Sequence, residues 1–99
     1  MSERARAMHA LAGRYFPYVG DEAEYRTTAT NLSGAVMVTR LSASGNTITV
    51  RFLGEGRRLF GAQRVLQRYS DEGAGRYGYP VPGQPDILAA YVQFWPQPR

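Results

Sequence analysis

The chain has 99 residues, with 12 Lys+Arg against 8 Asp+Glu, a formal net charge of +4 and no cysteine. That length holds one domain, residues 1–99, with a modest core; the lack of thiols excludes disulfides and thiolate metal sites and suits a reducing compartment. Every cation is an arginine, so Schiff-base, phosphate-loop or general-base chemistry through lysine is excluded too.

Ser2 as N-cap, Glu3 in the first turn and Gly13 as a stop predict a short helix within residues 1–13. Met8, Leu11, Ala12 and Tyr15 fall on one face at helical spacing, and so short a helix needs a surface to dock on. Arg14 to Gly20 is an aromatic connector. Residues 22–69 read as a β core. Glu22 to Thr30 alternates, with Ala23, Tyr25, Thr27 and Ala29 on one side. Asn31 to Gly34 is a turn, Ala35 to Leu41 a second strand, and Ser42 to Asn46 a hairpin loop. Thr47 to Leu53 is the clearest strand, with Ile48, Val50 and Phe52 facing in and Thr47, Thr49 and Arg51 facing out. Gly54-Glu55-Gly56 then turns the chain and Arg57 to Phe60 returns. Gln63 to Tyr69 fits a helical turn or a short strand equally. Ser70 to Pro85, dense in glycine and proline, reads as a long loop. Ile87 to Trp95 is apolar and leans to strand over helix, so residues 70–99 form an extended arm with an apolar end. The expected class is mainly β (α+β): a single small antiparallel barrel or sandwich, with a short N-terminal helix and a Gly/Pro-rich C-terminal arm.

Residues 34–69 combine Gly34-Ala-Val-Met-Val-Thr-Arg40, Asn46-Thr-Ile-Thr-Val-Arg-Phe52, a Gly-Glu-Gly turn, Arg57-Arg-Leu-Phe60 and Ala62-Gln-Arg-Val-Leu66. This third of the chain resembles the core of Tudor-like small β-barrels. The resemblance implies binding of nucleic acids, modified peptides or other proteins, without naming a ligand.

Catalytic patterns fare poorly. Gly73-Ala-Gly75-Arg-Tyr-Gly78 spells a dinucleotide-binding fingerprint, but Tyr79-Pro-Val-Pro82 follows where a helix would have to start, so a Gly-rich loop is expected. His9 is the only histidine, and Asp21, Glu22 and Glu24 lack the spacing of a calcium loop. No strand–turn–helix nucleophile elbow is present. Asn31-Leu-Ser33 marks a turn, and Pro82 to Pro85 is loop punctuation. No enzyme activity, cofactor or metal is expected.

One constellation remains. Between Gly34 and Tyr69 six arginines (Arg40, Arg51, Arg57, Arg58, Arg64 and Arg68) stand against the single acid Glu55. With Tyr69 and Tyr77 they make up a candidate partner-binding surface. Guanidinium forks pair with carboxylates at protein interfaces, and with phosphates when aromatics are there to stack bases. The expected function is therefore a non-catalytic structural or assembly protein, a small β-rich subunit of a multi-chain particle, for which a phage or virus-like particle and a bacterial complex both fit. A protein partner or a homo-oligomer is expected. A nucleic-acid-binding barrel and an inhibitor of one host protein are the alternatives. No run of roughly 18 apolar residues suggests a membrane span, and charges interrupt any signal-like start, so the expected place is the cytoplasm or a particle assembled there. Exclusive use of arginine fits a GC-rich bacterial genome or a virus of such a host.

Overall fold

Period-two alternation of apolar side chains sets the architecture. In the computed structural model, which describes residues 15–97, six strands alternate core and solvent positions. They are β1 (Glu22–Thr27), β2 (Ser33–Leu41), β3 (Thr47–Phe52), β4 (Gln63–Ser70), β5 (Arg76–Val81) and β6 (Gln84–Gln93), with a short helix α1 (Glu55–Phe60) between β3 and β4. Each strand pairs antiparallel with the next, and β6 returns to β1 through Tyr25↔Val92, Arg26↔Tyr91 and Thr27↔Ala90, closing the barrel. Tyr25, Val36, Val38, Ile48, Val50, Phe52, Leu66, Tyr77, Ala90 and Val92 fill the interior, none more than 2% exposed. With so few strands, side chains from opposite walls meet at the axis and fill it.

The small antiparallel barrel agrees with the expected class, and Ile48, Val50 and Phe52 are buried as their spacing predicts. Gln63–Ser70 is a strand, and Ile87 lies within β6. The expected N-terminal helix lies outside the described residues.

Two expectations are corrected. Arg57 to Phe60 is not a returning strand but part of α1. Gly56 and Phe60 stand four apart, on the same helix face. Gly56 comes so close to Gly34 of β2 that a Cβ on Gly34 would meet the Gly56 Cα at 3.0 Å. Phe60 reaches into the barrel mouth, its ring centroid 4.9 Å from Tyr25 and 5.3 Å from Phe52. Tertiary contact at one end of the barrel thus selects helix over strand.

The second correction concerns residues 70–99. Ser70 to Pro85 is not one long loop, since among these residues only 71–75 and the Pro82-Gly83 turn lie outside strands, and the described part of the expected arm is drawn into the barrel, which β5 and β6 close. Pro80 fits into β5 between two register shifts, where the ladder is already irregular and needs no amide donor. Gly78 is demanded by the partner strand. Pro82-Gly83 forms the two-residue turn between Val81 and Gln84.

Candidate functional site

The eight candidate residues divide between the inside and the outside of the barrel. Alternation along β4 turns Arg64, Leu66 and Arg68 inward and leaves Gln63, Val65, Gln67 and Tyr69 exposed. Leu66 occupies mid-core, so the two arginines flank it toward opposite ends. At the α1 end, Arg64 donates from Nη1 to the hydroxyls of Tyr25 (3.1 Å) and Tyr79 (3.0 Å), and from Nη2 to the Phe60 carbonyl (3.3 Å). At the other end Arg68 has only 3% of its side chain exposed and pairs with Asp71 at 2.7 Å. It also donates to the Tyr77 hydroxyl (2.8 Å) and the Tyr15 carbonyl (2.9 Å), and its guanidinium lies 4.5 Å from the Phe16 ring centroid. The Tyr77 hydroxyl in turn donates to the Gly45 carbonyl. A buried tyrosine needs a partner for its hydroxyl, and here arginines supply it at both ends. Tyr77 is fully buried and out of a partner's reach; Arg64 and Arg68 are engaged in holding the barrel ends.

The Tyr25–Arg64–Tyr79 group sets a pH dependence. Burial, with the Tyr79 hydroxyl adding to it, pushes the Tyr25 phenol far above its ordinary 10.0, and Arg64 offsets only part of this. The folded state therefore keeps a proton that the unfolded chain releases. This stabilisation is complete below pH 10 and is lost as pH rises above it, by about 1.4 kcal/mol per pH unit. Urea titrations at about pH 9 and about pH 11 should show the fall, and Tyr25→Phe should flatten it; an equal slope in both proteins would contradict the assignment.

Outside, Arg40, Arg51, Arg57, Arg58 and Tyr69 are exposed. Arg58 lies 3.7 Å from Glu55 with both side chains more than 80% exposed, a contact of little energetic weight. Among the described residues Arg40, Arg51 and Arg57 have no ion-pair partner. Register places Arg40 beside Thr49 and Thr49 beside Val65, an outward row across β2, β3 and β4. A second row runs Glu22, Met37, Arg51, Gln63 from β1 to β4. Val65 is 56% exposed and Tyr69 43%, so this wall mixes unpaired cations with apolar contact area.

Sequence reasoning missed Glu22, Met37 and Val65 as members of this wall. Val65 carried a signal, because only one parity of β4 can face the core and the other must display it. Glu22 and Met37 join through strand register, which no local pattern reveals.

Two of the concavities among the described residues are open grooves. One of about 530 Å³ runs over β4–β6 and is lined by Tyr69, Arg76, Asp86, Ile87, Leu88 and Tyr91 among others. There Arg76 is held by Gln93 (2.9 Å) and Glu72 (3.3 Å) and sits 5.2 Å from the Tyr91 ring centroid. Another of about 450 Å³ is bordered by Asp21, Glu22, Glu24 and Trp95. Among the described residues no group of three or more His, Cys, Asp or Glu could hold a metal ion, and no helix is long and apolar enough to cross a membrane. Compared with protein-family models, curated proteins and solved structures, the chain has no significant match.

Proposed function

We propose that this chain is a non-catalytic structural or assembly protein, a small β-rich subunit that docks into a multi-chain particle through the outer wall of its barrel. The observation that carries the reading is the wall of β2–β4, where Arg40 and Arg51 stand without a carboxylate partner among the described residues, beside exposed Val65 and Tyr69. Arginine with apolar and aromatic contact is the composition of protein interfaces. The filled interior leaves a ligand only the outside to meet. Because the strand ladder closes on itself, side chains rather than an added strand must make the contact. The likeness of residues 34–69 to Tudor-like barrels points the same way.

Nucleic acid loses support because Arg64, Arg68 and Tyr77, three of the eight candidates, are turned inward. A photo-reactive benzoylphenylalanine at position 65, compared with one at position 83 in the β5–β6 turn, tests the reading in the cells that make the protein. Protein adducts specific to position 65 are expected. Adducts with nucleic acid alone, or none above the control, would overturn the proposal.

A further inference from the structure

Strand β6 carries three residues that the ladder leaves out. Pro80 of β5 pairs with Leu88 and the next residue, Val81, pairs with Gln84, so Pro85, Asp86 and Ile87 have no partner on β5. An irregularity of this kind bends the strand and re-aims its side chains. All three residues are exposed and border the groove of about 530 Å³ that Tyr69 and Tyr91 also line. The Arg76 guanidinium, 5.2 Å from the ring centroid of Tyr91, is itself held by Gln93 and Glu72 and so fixes that wall of the groove. The Tyr69 and Tyr91 hydroxyls have no hydrogen-bond partner among the described residues. Of the two charged residues lining the groove, Arg76 is paired with Glu72, while Asp86 has no ion-pair partner among the described residues. The groove therefore offers aromatic faces, free hydroxyl donors and one unpaired negative charge.

Such a surface suits a polyproline II segment that carries a cation. A polyproline helix makes no internal hydrogen bonds, so its carbonyls are free to accept from hydroxyls, and aromatic-lined grooves take its proline rings. The chain contains a segment of this composition, Trp95-Pro96-Gln97-Pro98-Arg99. Each proline keeps the residue before it out of the helical region, so Trp95 and Gln97 favour extended backbone, and Trp95, Pro96 and Gln97 are exposed. We propose that the groove over β4–β6 takes residues 96–99 of a second copy of the chain, with the prolines against Tyr69 and Tyr91 and Arg99 against Asp86. The same segment of its own chain leaves the barrel elsewhere. Trp95, Pro96 and Gln97 line two other grooves, which share no lining residue with this one, and a stretch held extended by two prolines does not reverse within four residues. A segment of one copy in the groove of the next is a heterologous contact, so it repeats from copy to copy and builds a ring or a filament. The inference goes beyond the docking reading above, adding a contact between like chains on a different face from Arg40 and Arg51.

Sedimentation of the full chain across a concentration series tests this with Asp86→Arg, Arg99→Asp and the two combined. The wild type should self-associate. Each single reversal brings like charges together and should raise the dissociation constant roughly tenfold or more, and the combined variant, in which the pair is swapped, should regain association. As an independent readout, an isotope-labelled Arg99→Asp chain keeps its groove intact. Adding the peptide Trp95–Arg99 should shift the amide resonances of Tyr69, Asp86, Ile87 and Tyr91, and a peptide with alanine at both proline positions should not. A wild type that stays monomeric, association that neither single reversal weakens or that the combined variant fails to regain, or a peptide that leaves these amides unmoved overturns the proposal. Val65 does not line this groove, so cross-linking at position 65 reports on the β2–β4 wall separately, and the docking reading survives a failure here.

Discussion

Arg68→Met is expected to cost about 3 kcal/mol of folding stability, a large fraction of the 5–15 kcal/mol typical of a domain this size. The methionine keeps most of the stem and removes the guanidinium, so the experiment isolates the polar contacts. Those contacts are the Tyr77 hydroxyl, the Tyr15 carbonyl, Asp71 and the face of Phe16, all gathered on a side chain 3% exposed. Asp71 is 55% exposed and can rehydrate, which places the cost at the lower end of what breaking a buried pair entails. Tyr77, which is fully buried, loses a donor that water replaces poorly inside the barrel mouth. The control is Arg51→Met, an exposed arginine on β3 without an ion pair among the described residues, for which a change within about 0.5 kcal/mol is expected. Equal midpoints for the two variants in urea denaturation would refute the distinction between inward and outward arginines.

Gly78→Ala should destabilise by a similar amount, about 3 kcal/mol, although it adds a single methyl group. A Cβ at this position would lie 2.2 Å from the Ala90 carbonyl oxygen and 3.1 Å from the Tyr91 Cα. Both are backbone atoms of β6, and Gly78 is paired with Tyr91 in the ladder. No side-chain rotation relieves the contact, so β5 and β6 must separate locally. The β5–β6 hairpin closes the barrel onto β1, so the loss should appear as a lower global unfolding midpoint. Faster amide exchange in β5 and β6 should accompany it. An unchanged midpoint would show that β6 can move away without cost.

These two predictions mark the limits of what was legible in the chain. The strand Thr47–Phe52 could be read directly because its pattern is local: Ile48, Val50 and Phe52 alternate with polar residues on a period that only a half-buried strand explains. β4 could not, because its two parities are nearly balanced, Arg64-Leu66-Arg68 against Gln63-Val65-Gln67. An arginine at a barrel end can point inward and still reach hydroxyls, carbonyls or solvent, so hydropathy alone favours the wrong face. The signal that would have found it is the tyrosines, since Tyr25 and Tyr77 in a core call for hydroxyl partners. β5 was hidden by Gly78 and Pro80, which argue for a loop in isolation and are accommodated only by the neighbouring strands.

By itself, the sequence determined the β class, the parity of β3 and the exclusion of thiol and lysine chemistry, because these follow from composition and short-range periodicity. It also placed the arginine excess between Gly34 and Tyr69. Tertiary structure alone decided that Arg64 and Arg68 seal the barrel ends while Arg40 and Arg51 remain outside. It likewise decided that Glu22, Met37 and Arg51 share one row. The physical reason is register: closing six strands into a ring selects which neighbours meet across each pair, and that choice depends on contacts between residues far apart in the chain.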